Sequence, residues 1–224
     1  MKHAIACSKY WFIESQKNNI KKFIKITKKN QLSFKKLKKQ KIEYIFFPHW
    51  SHKIPKKIYE NFNCVVFHTG NLPKHRGGSP IQNLIIRGIY KTYVNAIQVT
   101  DLIDSGPIYC KENIILKGNL QDIFFDISNK IFIMIESIIH KNLIPKKQVG
   151  KKSTFKRLKP ENSRITKKIN NLDKLYDQIR MLDHEDYPRA NIKFGNFILS
   201  FSEPLIKNNL IKTICTIKKE HKAL

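Results

Sequence analysis

The stretch His68-Thr69-Gly70-Asn71-Leu72-Pro73-Lys74-His75-Arg76-Gly77-Gly78-Ser79-Pro80-Ile81-Gln82 decides how this chain is read. It follows the apolar run Cys64-Val65-Val66-Phe67 and precedes a helix-like run from Ile81 to Arg87. A histidine at the end of a buried strand, a loop rich in Pro and Gly, then a helix start is how α/β enzymes present reactive groups. Ser79 is placed to cap that helix, Pro80 to fill its first turn and Gly88 to end it. A second edge follows, Thr100-Asp101-Leu102-Ile103-Asp104-Ser105-Gly106. A base-capable imidazole and a carboxylate on two neighbouring strand ends are expected to meet in one cleft.

The rest of the chain supports an α/β reading. Lys2–Cys7 and Tyr44–Phe47 are short continuous apolar runs, the pattern of parallel strands buried on both faces. A weak strand near Phe23–Thr27 and a helix over Ser33–Gln40 lie between them, and a helix over Ile54–Phe62, with Pro55 in its first turn, follows the second. Thr92–Thr100 and Ile108–Leu116 are expected to be antiparallel additions to a parallel sheet. Leu120–His140 carries Leu120, Ile123, Phe124, Ile127, Ile131 and Met134 at helical spacing, a core-facing stripe. Leu172–Leu182 is a second amphipathic helix. Asn191–Ser202 alternates around Gly195-Asn196, a hairpin signal, and Leu210–Lys218 adds a further strand. The expected division is a catalytic domain over 1–190 and a small β extension over 191–224. No Gly-x-Gly-x-x-Gly follows the first strand, so the dinucleotide fingerprint is absent.

Composition sets outer bounds. A chain of 224 residues, 41% apolar, can bury a core as one domain with an appendage. No apolar run approaches the ~18 residues of a membrane span, and no secretory leader is visible, so a cytoplasmic location without membrane association is expected. Cys7, Cys64, Cys110 and Cys215 lack metal-ligand spacing and read as free thiols, and no metal is expected. The net charge is +26, yet arginine occupies only six positions. Phosphate recognition favours arginine's planar fork. The lysine, isoleucine and asparagine bias therefore reads first as a solvated lysine surface and second as a polyanion site.

The 68–82 stretch resembles the signature of the folate-dependent formyltransferase family: a His, a short turn, Leu-Pro, two residues, Arg-Gly, then a Pro-Ile-Gln helix start. Asp104-Ser-Gly-Pro-Ile-Tyr resembles the family's Asp-(Ser/Thr/Ala)-Gly segment. Leu175-Tyr-Asp-Gln-Ile-Arg-Met-Leu-Asp with Tyr187-Pro-Arg-Ala resembles its late helix and Tyr-Pro element. The resemblance implies the formyltransferase fold, a Rossmann-like parallel-dominated sheet flanked by helices, here with a small strand-rich C-terminal tail. It implies 10-formyltetrahydrofolate as formyl donor and His68 and Asp104 as catalytic pair. It also implies donor contacts at Trp50, Ile54, Leu72, Pro73, Asp101 and Ile103, and acceptor contacts at Arg76, Gly77, Gly78, Ser79 and Gln82. Trp50 reads equally as a lid on the pterin or as core. One position departs from the pattern: Val66 stands where the family has an Asn that donates to the oxyanion. Asn71, Asn63 and His49 are the candidate replacements, with Asn71 nearest in sequence to His68.

The amine acceptor is read from the tail. Family members that act on tRNA carry a longer C-terminal domain, and only 36 residues follow Pro188 here. The expected acceptor is therefore a nucleotide-linked amino sugar. Methionyl-tRNA or another aminoacyl substrate is the alternative, and a non-catalytic basic module that kept the fold is another. A homodimer is compatible with all of them.

Overall fold

A computed structural model describes residues 2–220, which fall into two compact units. Among them, one consists of residues 2–77, 92–114 and 125–154, the other of residues 78–91, 115–124 and 155–220. Of the expected 191–224 extension, residues 221–224 lie outside the described residues.

The first unit is built on a six-stranded sheet. Its strands are β1 (Lys2–Ala6), β2 (Ile24–Ile26), β3 (Ile42–Phe47), β4 (Asn63–Thr69), β5 (Lys91–Gln98) and β6 (Ile108–Ile115), in the order β2-β1-β3-β4-β5-β6. β2, β1, β3 and β4 are mutually parallel and β5 is antiparallel to β4. The apolar runs are continuous because both faces are covered. Ala4, Ala6, Ile45 and Phe47 join one core cluster with Leu37 of α2 (Phe34–Lys39) and Ile58 of α3 (Lys56–Tyr59). The alternate residues Ile5 and Phe46 are equally buried on the other face. The helix α1 (Tyr10–Ser15) buries Phe12.

Helix boundaries depart from the sequence reading in two places. The chain after β1 reads as a loop through Trp11, yet Tyr10 and Trp11 open α1, with Lys9 as its N-cap. The expected helix over Ile54–Phe62 narrows to α3, with Phe62 N–H still donating to the Ile58 carbonyl. Pro55 precedes α3 with an extended backbone and is its N-cap rather than its first-turn residue. The amphipathic stripe predicts the long helix well. α5, after the six-residue α4 (Pro80–Ile85), spans Leu120–Lys141, and all six stripe residues are at most 2% exposed. The Gln16 amide donates to Asn129 and Lys22 pairs with Glu136, so α5 is tied to the chain that follows α1.

The second unit contains α4, α6 (Leu172–Arg180) and an antiparallel sheet of order β9-β8-β7, from β7 (Ala190–Phe194), β8 (Phe197–Lys207) and β9 (Leu210–Lys219). The β7–β8 turn falls at Gly195-Asn196 as the alternation suggests. The β8–β9 turn uses Asn208 and Asn209, both in the left-handed region, the conformation a two-residue hairpin turn demands.

A buried ion pair anchors α6. Arg180 Nε donates to Asp177 Oδ1 at 2.7 Å, with the two side chains 3% and 6% exposed. The other guanidinium nitrogens donate to the Gly118 and Leu116 carbonyls, and Tyr90 Oη donates to Asp177 Oδ2 at 2.6 Å. That bond, with burial, pushes the Tyr90 phenol up to about 12.

Cys7 and Cys64 are buried free thiols, as expected, but Cys215 is exposed. Burial pushes the Cys64 thiol up to about 12 and the Cys110 thiol to about 11, so neither supplies a thiolate near neutral pH. Among the described residues no helix is long and apolar enough to cross a membrane.

Removing one partner of the α6 pair leaves a buried charge without its counterion. Asp177→Ala should therefore destabilise the chain by about 3–5 kcal/mol, read as a lowered urea midpoint. A shift no larger than that of an exposed Asp122→Ala control would show that the pair does not anchor α6.

Candidate functional site

His68 is the penultimate residue of β4, opposite Asn95 of β5. The Asn95 amide nitrogen donates to the carbonyls of His68 (3.0 Å) and Gly70 (2.7 Å), holding the chain as it leaves the sheet. The imidazole is buried, 6% exposed, and both ring nitrogens are engaged. Nδ1 lies 3.3 Å from Asp104 Oδ2, and Nε2 lies 2.7 Å from the His75 carbonyl oxygen. Both of those oxygens only accept. The carbonyl fixes Nε2 as a donor, and Nδ1 faces the carboxylate.

Asp104 arrives by a route the sequence does not suggest. Because β5 is antiparallel to β4, its end lies beside the start of β4, with Gln98 opposite Val65. His68 pairs three residues back, roughly 10 Å away along the strand. The loop after β5 must therefore fold back, so the two groups do not sit on neighbouring strand ends as expected. Three features hold the return. Gly106 passes so close to Gln98 that a Cβ there would stand 1.8 Å from the Gln98 carbonyl oxygen. Gln148 donates its amide to the carbonyls of Asp104 (2.9 Å) and Gly106 (2.8 Å). Arg76 donates to Gln148 Oε1 and to Ser105 Oγ. Asp104 itself sits in the left-handed region, φ 52°, a conformation unfavourable for a non-glycine residue. Its Oδ2 also accepts the Gly77 N–H at 2.9 Å.

The other expected site residues divide sharply. Arg76 is committed to Gln148 and Ser105, so it braces the Asp104 loop instead of standing open to an anion. Leu72, at 3% exposed, and Pro73 are buried, which makes them packing residues of the loop. Ile54 and Trp50 are half-buried and pack against the core cluster, and the Trp50 indole N–H is buried without a hydrogen-bond partner. Asp101 and Ile103 are exposed, Ile103 at 80% and its neighbour Leu102 at 66%. Asn71 is exposed, directly after Gly70.

Gly78, Ser79 and Gln82 belong to the second unit. Gly78 meets the backbone of Arg157, and Ser79 does not cap α4 with its side chain: its Oγ accepts the Leu158 N–H. Gln82 is 2% exposed, buried within its unit rather than displayed to a ligand. Of the proposed substitutes for the missing amide at 66, Asn63 lies at the other end of β4 from His68, and His49 packs against Trp11 and Phe12. Val66 itself packs on the core.

Asn95 and Gln148 were not legible as site residues. Asn95 sits in an alternating strand and Gln148 in a basic loop, and neither belongs to a motif. Among the described residues no group of three or more His, Cys, Asp or Glu could hold a metal ion.

The Gly106 contact generates a test. Gly106→Ala must push two backbones apart, so it should destabilise the chain by about 3 kcal/mol, as overpacking does, and lengthen the His68–Asp104 contact. Urea unfolding and a crystal structure of the variant check both, and wild-type stability with an unchanged loop would remove Gly106 from this account.

Comparison with known proteins places this geometry. Residues 12–122 match the family model described as formyl transferase, and residues 160–218 match that of the methionyl-tRNA formyltransferase C-terminal domain. The methionyl-tRNA formyltransferase of Campylobacter lari is 28% identical over 189 residues, covering 83% of this chain and 60% of that protein. The chain spans about half the length of the curated relatives it matches. The solved methionyl-tRNA formyltransferase from Clostridium thermocellum superposes with a TM-score of 0.93 at 46% identity, covering 98% of this chain and 99% of that one. HypX from Aquifex aeolicus, solved in complex with tetrahydrofolic acid, shares the fold at 12% identity with a TM-score of 0.75, over 91% of this chain and 38% of that one. With the imidazole–carboxylate pair in place and a 46% identical relative matched end to end, the chain belongs to the formyltransferase family.

Proposed function

We propose that this chain transfers a formyl group from 10-formyltetrahydrofolate to the amino group of methionyl-tRNA. The observation that carries the transfer chemistry is the buried His68–Asp104 pair. The donor supplies an electrophilic formyl carbon on N10, whose C–N bond breaks as the new amide forms. An attacking amine must shed one proton, and N10 must gain one when it leaves. Asp104 spends its Oδ2 on Gly77 and His68, which leaves Oδ1 to accept the amine proton. His68, fixed between the His75 carbonyl and Asp104, presents its proton-bearing ring beside the reacting carbonyl, where negative charge grows on oxygen.

The residues present suit a folate donor. Leu102 and Ile103 display apolar surface to water one and two residues before Asp104, a place for a flat ring to cover.

The acceptor is where the sequence reading changes. The short tail favoured a nucleotide-linked amino sugar. Against that stand the match of residues 160–218 to a methionyl-tRNA formyltransferase C-terminal domain and a full-length likeness to the Clostridium thermocellum protein. The net charge of +26 is suited to a polyanionic acceptor.

Purified chain, 10-formyltetrahydrofolate and methionyl-tRNA should yield formyl-methionyl-tRNA. The logarithm of acceptor affinity should fall steeply with the logarithm of salt concentration. His68→Ala and Asp104→Asn should each lower turnover by about 10²–10⁴-fold. Formylation of a nucleotide-linked amino sugar with none on tRNA would overturn the acceptor, and full activity in both variants would overturn the site.

A further inference from the structure

The His68 ring is held on its far side by a backbone carbonyl, and one exposed residue holds that carbonyl in place. Ser153 Oγ accepts the His75 N–H at 3.0 Å, the Ser153 carbonyl accepts the Arg76 N–H at 3.0 Å, and the Ser153 N–H reaches the Pro73 carbonyl at 3.4 Å. These three contacts bracket His75 from both sides. They hold it in the left-handed region, φ 64°, which a non-glycine residue adopts only under constraint. In that conformation the His75 carbonyl lies 2.7 Å from His68 Nε2. Gly70 closes the remaining space: a Cβ there would lie 3.1 Å from Nε2 and 3.2 Å from the His75 oxygen.

We propose that Ser153 is a positioning residue for formyl transfer, acting through the His75 carbonyl to keep His68 protonated at Nε2 so that its proton exchange with Asp104 runs through Nδ1 alone. A carbonyl oxygen accepts and never donates, so a ring nitrogen facing it at this distance must carry the proton. A neutral imidazole has one N–H, and which nitrogen holds it follows from the hydrogen bond the other makes. With Nε2 fixed as the donor, Nδ1 is left opposite the Asp104 carboxylate. Loss of the Ser153 hydroxyl releases the His75 N–H and lets the peptide relax out of the left-handed region. The carbonyl then leaves Nε2, and His68 divides between tautomers, one of which turns Nε2 into an acceptor. Residues 146–159 are basic and carry no signature, yet by this inference Ser153 belongs to the catalytic machinery at one remove.

The inference rests on the proposed transfer activity, so its test has one readout that does not. Full-length chain labelled with ¹⁵N-histidine, the His68 signals assigned with His68→Gln, reports the protonation of each ring nitrogen directly. Wild type should show Nε2 protonated across the pH range. Ser153→Ala should show mixed tautomers at high pH, and Ser153→Thr, which keeps the hydroxyl, should restore the wild-type signals. His75→Gly, which keeps both the carbonyl and the N–H and tolerates the left-handed backbone, should also match wild type. In the methionyl-tRNA assay Ser153→Ala should lower kcat by about tenfold with KM within about twofold, the signature of an interaction that acts on the chemical step. Its pH–rate profile should shift, and Ser153→Thr should restore both. Wild-type ring signals in Ser153→Ala overturn the proposal. Altered ring signals in a chain that formylates nothing overturn the proposed function and leave the positioning role standing.

Discussion

The site depends on one topological constraint: the chain must double back after β5 to bring a carboxylate to a histidine on β4. An antiparallel strand next to His68 carries the chain away from it, and each residue of strand adds roughly 3.3 Å of separation. The return is enforced by contacts that tolerate little variation, namely the Gly106 backbone against Gln98 and the Gln148 amide spanning the Asp104 and Gly106 carbonyls. Asp104 ends in a left-handed conformation as a result. Strain of this kind persists only where the surroundings over-determine it, and here they do.

That over-determination is what makes the pair usable. A buried carboxylate beside a buried imidazolium is expensive to desolvate and gains little unless the remaining valences are met. Here they are met from the protein itself: Oδ2 by the Gly77 N–H, Nε2 by the His75 carbonyl. The groups that supply these contacts are backbone groups on a short loop between β4 and α4, pinned by side chains from distant sequence. Donors and acceptors fixed before substrate arrives need no reorganisation during the reaction, which is where much enzymic acceleration comes from.

How much of this was legible follows from which interactions leave a pattern. Burial on both faces writes itself as a continuous apolar run, so β1, β3 and β4 were readable, and the α5 stripe fixed a 22-residue helix to within one residue. The pairing of His68 with Asp104 was accessible because His68 lies at the end of a buried strand before a Pro- and Gly-rich loop and Asp104 lies in a short loop ending in Gly106. Asn95, Gln148 and Ser153 were not accessible. Each acts by a side-chain bond to a backbone group far away in sequence, and such a bond has no period and no spacing. Arg76 misled for the same reason: an arginine in a glycine-rich loop looks like an anion ligand until its guanidinium is found on Gln148 and Ser105. Ser79 was placed correctly at a helix start, but the left-handed backbone there turns its hydroxyl to Leu158.

The absent amide at position 66 can be weighed against this geometry. Val66 is apolar and packed on the core, so no donor stands two residues before His68. Asn95 is adjacent to His68 but cannot take over, because its amide nitrogen has two hydrogens and both are spent, on His68 and on Gly70. The Gly77 N–H is spent on Asp104. On the loop that follows β4, Asn71 is exposed directly after Gly70. Both ring nitrogens of His68 are engaged, so the ring cannot turn to donate to a new oxygen without giving up Asp104 or the His75 carbonyl. The family pattern places that amide on the strand, and here neither Val66 nor Asn95 can supply it.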